Sequence, residues 1–175
     1  MTGAEPAMLG YVVVSGQGDA GPILREVAAR LDAAGVAVAG AIQSQGSADA
    51  QGRCHMELRV LPGDAPVRIS QDLGALSQGC RLDPDGLERA VAMVGRALEA
   101  GPQIVIVNKF GKQEGEGRGF RSLIGTALMA GVPVLLAVAE GDLERFLAFA
   151  ETLADPLPTD PAALVAWCRT RIGQD

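Results

Sequence analysis

Residues 12–23 read VVVSGQGDAGPI, a run of valines that breaks into a glycine-rich turn. The glycines at positions 16, 18 and 21 have the G-x-G-x-x-G spacing of a dinucleotide-binding turn, and the first and last alone have the G-x-x-x-x-G spacing of a phosphate-binding loop. Such a loop continues with Lys and then Ser or Thr, whereas this chain continues with proline and isoleucine. The stretch therefore predicts a buried strand, a tight turn and a helix.

The turn can still attract an anion, because the first turn of a helix presents unpaired N–H groups and the positive end of the helix dipole. Pro22 is tolerated there, but it cannot replace the lysine that binds phosphate. A dinucleotide site would need an acid at the end of the second strand, which ends instead in Gln43 and Ser44. We predict an anion- or nucleotide-binding turn, and a ligand-free turn or an NAD site remains as an alternative. The predicted contacts are Gly16, Gln17, Gly18, Asp19, Ala20 and Gly21.

The length predicts one domain over residues 1–175, and because the chain is 48% hydrophobic and only 3% aromatic, its core must consist of Val, Leu, Ile and Ala. A net charge of −6 argues against nucleic acid or an acidic membrane surface as a partner. No apolar stretch is long enough to span a membrane, and the N-terminus does not resemble a signal peptide. Three cysteines without a C-x-x-C pair indicate a reducing compartment. We expect a cytoplasmic protein.

Hydrophobic periodicity predicts alternating strands and helices with an antiparallel hairpin between them. The predicted buried strands are 9–15, 36–43, 103–108 and 132–138, and the hairpin strands are 54–61 and 65–70. The predicted helices are 20–34, 83–100 and 120–130, one that begins at Asp142, and one near the C-terminus, with 155–161 as a rigid connector. This order predicts a three-layer α/β sandwich around a mostly parallel sheet.

Three polar loops, 15–21, 43–53 and 108–119, should meet beyond the carboxyl ends of the strands, where such sheets bind ligands. The only lysines of the chain, Lys109 and Lys112, lie in the third loop. Ammonium groups suit phosphate, so this loop can supply the cation that the first loop lacks.

The third loop adds Asn108 at the end of its strand and Arg118 further along as predicted anion contacts. A solvated charged loop is the alternative, since Glu114 and Glu116 offer local partners for its cations. Other possible ligand contacts, by position, are Gln43, Gln45, Cys80 and Arg81. His55 is the only histidine, which predicts a structural residue and no metal site.

Three stretches carry a resemblance to a known family: GCRLDPDGLERA (79–90), IVIVNKFGKQEGEGRGFRSLI (104–124) and GVPVLLAV (131–138). They resemble the second half of the small thermophilic-type nucleoside triphosphatases. The segments NKFGKQEGEGRGFR and GCRLDP are more closely similar to a bacterial family of P-loop-like proteins, often encoded near molybdate-uptake genes, that has no established activity. The resemblance implies a P-loop NTPase-type fold over about residues 9–140.

The chain departs from the resembled families at their catalytic positions. Pro22 and Ile23 stand where those families have Lys and Ser or Thr, and Asn108 and Lys109 replace an Asp-Glu pair. The resemblance therefore implies a degenerate P-loop protein, a pseudo-NTPase without a standard Mg²⁺ site. Such a protein would bind a nucleotide or tetrahedral oxyanion and be regulatory in molybdenum metabolism. Two alternatives remain: an active nucleoside triphosphatase that uses Lys109 or Lys112, and an interaction scaffold. A protein partner or a homo-oligomer is also open.

Overall fold

The computed structural model describes residues 3–15, 19–45, 55–71 and 81–174. Its strands are β1 (Leu9–Val14), β2 (Val38–Gln45), β3 (Met56–Leu61), β4 (Ala65–Arg68), β5 (Ile104–Phe110), β6 (Val134–Ala139) and β7 (Ala154–Pro156). They form one sheet in the order β4-β3-β2-β5-β6-β1-β7. The five strands from β2 to β7 in that order pair in parallel, whereas β3 pairs antiparallel with both β2 and β4. The predicted α/β class with a mostly parallel sheet and an antiparallel hairpin is confirmed.

Helices cover both faces of the sheet. They are α1 (Gly21–Ala33), α2 (Pro84–Glu99), α3 (Lys112–Gly115), α4 (Arg121–Met129), α5 (Leu143–Ala150) and α6 (Pro161–Arg171). One core layer packs α2, α4 and α5 against the sheet, and the other packs α1 and α6. Within the described ranges, no helix is long and apolar enough to cross a bilayer. The predicted three layers are therefore present.

Strand β5 is the buried centre of the sheet, and it ends in a bulge. Asn108 pairs with Ala137 and Phe110 pairs with Val138, so Lys109 is an extra residue on β5. Without the bulge, Phe110 would face the same side as Ile106. Instead it joins the opposite core layer, 5.2 Å from the ring of Phe146 between centroids. The bulge thus leaves Lys109 exposed at the carboxyl edge of a strand that is otherwise buried.

Two segments differ from the sequence-based prediction. The segment 155–161 is not only a connector, because Ala154–Pro156 pairs in parallel with β1 as an edge strand. The predicted strand 103–108 extends to Phe110, and the predicted loop after it contains the short helix α3. Edge strands of three residues carry too little periodicity to be read from sequence, and a bulge interrupts the alternation that would mark a strand end.

Gly40 lets β2 and β5 approach each other at the middle of the sheet. Its φ is 145°, and a Cβ at this position would lie 1.9 Å from the carbonyl oxygen of Ile106. Because the obstacle is backbone on the central strand, it cannot move aside without disturbing the parallel ladder between β2 and β5.

We expect Gly40→Ala to lower the free energy of unfolding by about 2–4 kcal/mol, because it combines backbone strain with overpacking. Gly95 in α2 is the matched control, since a Cβ there meets nothing within 4 Å. Gly95→Ala should raise the free energy of unfolding by about 0.8–1.0 kcal/mol through helix propensity. Chemical denaturation of the three proteins measures both changes, and equal stabilities would contradict the packing argument.

Candidate functional site

A cavity of about 610 Å³ opens at the carboxyl ends of β2 and β5 on the α2 side of the sheet. It takes its walls from the β3–β4 hairpin, the start of α2, the end of β5 and the loop around α3. Its lining residues are Gln43, Met56, Leu58, Ile69, Gln71, Arg81, Leu82, Leu87, Asn108, Lys109, Gly111, Lys112, Gln113, Glu114, Phe120 and Asp142. The cavity therefore collects predicted contacts from three separate segments of the chain: Gln43, Arg81, Asn108, Lys109 and Lys112.

The glycine turn borders this region without lining it in the described part of the chain. The backbone N–H of Gly21 donates to Oδ1 of Asp19 at 2.7 Å, which closes the turn at the start of α1. A Cβ on Gly21 would lie 2.5 Å from the carbonyl oxygen of Gln43, so α1 begins directly against the end of β2. Ala20 is buried and serves as the N-cap of α1. The predicted contacts Gly16, Gln17 and Gly18 lie outside the described residues.

Two polar residues lie near the end of β5: Asn108 is buried and Lys109 is exposed. Asn108 is 5% exposed, and its buried Nδ2 has no hydrogen-bond partner among the described residues. Such an unsatisfied donor costs about 1–3 kcal/mol. Lys109 is exposed, and in the described part of the chain it forms no ion pair. An unpaired buried amide donor and an exposed lysine therefore follow each other near the end of β5.

The remaining predicted contacts differ in how they relate to the cavity. Lys112 lines it, but its side chain is 72% exposed and lies 4.0 Å from Glu116. Arg118 is not among the lining residues, because its guanidinium pairs with Glu116 and donates to Gln113 at 2.9 Å. Cys80 and the side chain of Gln45 lie outside the described residues. Glu116 thus engages Lys112 and Arg118 as the solvated-loop alternative expects, whereas the charge of Lys109 acts on the Glu114 carboxylate.

Glu114 is the functional-site residue that sequence reasoning assigned to the surface. It is 4% exposed and accepts hydrogen bonds from the backbone N–H groups of Gly111 at 2.9 Å and Phe120 at 3.3 Å. Gly119 has a φ of 61°, and a Cβ there would collide with the Glu114 carboxylate. Glu88 of α2 accepts from the Gly119 N–H at 3.0 Å. The loop after β5 is therefore folded around a buried carboxylate.

Burial raises the pKa of Glu114 above its ordinary value of 4.5, and its two backbone donors and the nearby charge of Lys109 only partly oppose that shift. The signal in the sequence was the glycine at position 119, which permits close approach of the backbone to the Glu114 carboxylate. Glycine is too common in polar loops for that signal to be specific.

The opposite face of the β2–β3 pair holds a second cavity of about 350 Å³, which includes Arg25 and Arg59. Arg59 is already engaged by Glu57 at 2.9 Å and lies 3.8 Å from Asp64. Burial alone would raise the pKa of Glu57, but hydrogen bonds from His55 and Ser44 and the charge of Arg59 hold it below 4.5. His55 therefore belongs to a polar cluster on the face away from the larger cavity. No predicted site residue lines this second cavity within the described ranges.

Within the residues that the structure describes, no group of three or more His, Cys, Asp or Glu side chains could hold a metal ion. The cavity's two carboxyl groups come from different elements, Glu114 in α3 and Asp142 after β6. What these side chains can do chemically is bind an anion at Lys109 and offer amide hydrogen bonds from Asn108 and Gln43.

Comparison with known proteins places this geometry in a family. Residues 9–167 match the family described as "Protein of unknown function (DUF2478)". The chain belongs to this family. A curated relative, the "Molybdenum import ATP-binding protein ModC 2" of Bradyrhizobium diazoefficiens, is 30% identical over 165 residues. That match covers 94% of this chain but only 18% of the relative, so the chain corresponds to less than a fifth of that protein's length.

A solved structure titled "Solution Structure of a Human Cancer-Related Nucleoside Triphosphatase" has the same fold. The two superpose with a TM-score of 0.62 over 91% of this chain and 94% of the other, at 14% sequence identity. The predicted P-loop NTPase-type fold is thereby confirmed.

We expect Asn108→Leu to stabilise the folded protein, because it replaces an unpaired buried amide by an apolar group of similar shape. The free energy of unfolding should rise by about 1 kcal/mol. Denaturant titration of the wild type and the variant without added ligand measures this change. A clear loss of stability would contradict the absence of a partner for Nδ2.

The raised pKa of Glu114 predicts a pH-dependent stability that Glu114→Gln should remove. The folded-state pKa of Glu114 exceeds 4.5, so the folded protein holds the proton more tightly than the unfolded chain does. The resulting stabilisation is complete below pH 4.5 and is lost as the pH rises through the folded-state pKa. The stability of the wild type relative to the variant should therefore fall as the pH is raised over the range above 4.5. Denaturation curves across this range test the prediction, and a relative stability that stays constant or rises would refute it.

Proposed function

We propose that this DUF2478 protein binds a small anionic ligand, a nucleotide or a tetrahedral oxyanion, in the 610 Å³ cavity without efficient hydrolysis. The observation that carries this proposal lies near the end of β5, where the exposed Lys109 directly follows the unpaired buried amide of Asn108. Both groups line the cavity together with Gln43, whose carbonyl oxygen lies against the start of α1.

Electrostatics supports an anion as the ligand. Lys109 lines the cavity, its charge already acts on the buried Glu114 carboxylate, and a charge-assisted hydrogen bond to a ligand contributes about 1.5–3 kcal/mol. Arg81 adds a second cation to the lining. The geometry therefore supports the transfer of the cationic role from the first loop to the loop after β5, as predicted.

The same residues argue against efficient phosphoryl transfer. Pro22 is exposed in the first turn of α1, where a standard loop has the phosphate-binding lysine. Asn108 lies near the carboxyl end of β5, where a standard site has an acid for Mg²⁺. Loss of a single stabilising donor costs about a hundred- to a thousandfold in rate, so the combined losses leave binding as the better-supported role. This is why we describe the loop motifs as degenerate.

A role in molybdenum metabolism is supported by the relative that is named as a molybdenum import ATP-binding protein. Because that relative is several times longer, we propose that the DUF2478 unit is regulatory and works beside other domains or a partner protein, in the cytoplasm. Binding of a nucleotide or an oxyanion in the cavity would then regulate those domains or that partner.

We expect Lys109→Ala to weaken anion binding about tenfold, at the lower end of the value of a charge-assisted hydrogen bond because Lys109 is exposed. Isothermal titration calorimetry against ATP, GTP, inorganic phosphate and molybdate measures the affinity. Arg96→Ala is the matched control, since it removes one positive charge from the last turn of α2, away from the cavity lining.

Flat titrations for all four compounds would remove the support for a ligand-binding function. Equal losses of anion affinity in Lys109→Ala and Arg96→Ala would show that the affinity depends only on the net charge of the protein. A phosphate-release assay on the same proteins separates binding from turnover, because rapid release that is abolished by Lys109→Ala would favour the active nucleoside triphosphatase instead.

A further inference from the structure

We infer that the cavity is built for an organic anion with a flat apolar body and one acidic group, of the class of phosphorylated heterocycles, and not for a bare oxyanion. This inference rests on the proposed anion-binding function and selects among its ligands.

The size of the cavity is the first support. A volume of about 610 Å³ corresponds to about twenty water molecules at about 30 Å³ each. A tetrahedral oxyanion has only five heavy atoms and would leave most of this space to water. The volume falls within the range of about 300–1,000 Å³ that is typical of sites for small organic ligands.

The composition of the wall is the second support. The cavity lining includes an apolar surface that is formed by Met56, Leu58, Ile69, Leu82, Leu87 and Phe120. Leu58 and Phe120 are each 1% exposed, so the core holds this wall in place. A bare oxyanion gains nothing from such a wall and loses hydration beside it. A flat apolar ring gains about 25 cal/mol for each Å² that it buries there.

The charge of the lining is the third support, because it suits a ligand of low charge. Its cations are Arg81, Lys109 and Lys112, and Lys112 is shared with Glu116. Two carboxyl groups, Glu114 and Asp142, oppose them. The described lining therefore has an excess of about one positive charge, which matches a monophosphate or a carboxylate better than a triphosphate.

The amides of the lining complete the match to a heterocycle. Gln71 donates to the carbonyl oxygen of Leu82 at 2.8 Å, and Gln113 accepts from Arg118 at 2.9 Å, so these two side chains already have partners. Asn108 has an unpaired donor. Ring nitrogens and exocyclic oxygens provide the acceptor that this donor lacks, and a site with unpaired amides discriminates strongly among ring edges.

The test uses the full chain with labelled methyl groups of Met, Ile and Leu, titrated with AMP, GMP, adenosine, inorganic phosphate and molybdate by NMR. We expect the monophosphates to shift the methyl signals of Met56 and Ile69 and to show contacts from these methyls to ring protons. Met129 is the internal control, since it is 92% exposed at the end of α4. The dissociation constants of AMP or GMP should be at least tenfold lower than those of phosphate and molybdate.

A variant separates the apolar wall from the anion contact. Leu82 is only partly buried, so Leu82→Ser should fold, weaken monophosphate binding severalfold and leave phosphate binding unchanged. Inorganic anions that bind as tightly as the monophosphates, without shifts at Met56 and Ile69, would overturn this inference and leave the proposed anion-binding function intact. Titrations in which no compound binds would remove the proposed function itself, and the inference with it.

Discussion

The bulge at Lys109 is the constraint on which the candidate site depends. Strand β5 lies between β2 and β6 and is buried on both faces, so its side chains must alternate between two apolar layers. One extra residue at its end reverses that alternation, places Phe110 among the rings of Phe146 and Phe149, and leaves Lys109 at the edge. The aromatic cluster therefore fixes the position of the lysine, although neither ring lines the cavity.

Glu114 and Glu116, in the loop after β5, determine which cations of that loop are engaged in ion pairs. Glu116 faces solvent and engages Lys112 and Arg118. Glu114 faces inward and accepts hydrogen bonds from backbone N–H groups, so it holds the loop closed, and the charge of Lys109 acts on it from nearby. The buried carboxylate thus serves the fold directly beside the lysine at the end of β5.

The sequence predicted the layers, the mostly parallel sheet with its antiparallel hairpin and the loop that carries the lysines, because these follow from periodicity and residue type. It did not reveal the bulge, since the polar step from Asn108 to Lys109 looks like the end of the strand. It also treated Glu114 and Glu116 alike, whereas their burial depends on which glycines allow the backbone to close around a carboxylate. Both omissions concern tertiary contacts between segments, which composition and spacing do not encode.

Gly21 belongs to a phosphate-binding motif by its spacing, but the fold requires this glycine for a different reason. Its spacing from Gly16 is that of a phosphate-binding loop, yet a Cβ at this position would meet the carbonyl oxygen of Gln43 at 2.5 Å. The glycine is therefore required for α1 to begin against β2, with or without a phosphate. Its presence supports the fold and is neutral on the ligand. Evidence for a ligand has to come from groups that the fold does not need, and the unpaired amide of Asn108 is such a group, because it costs stability in the empty protein.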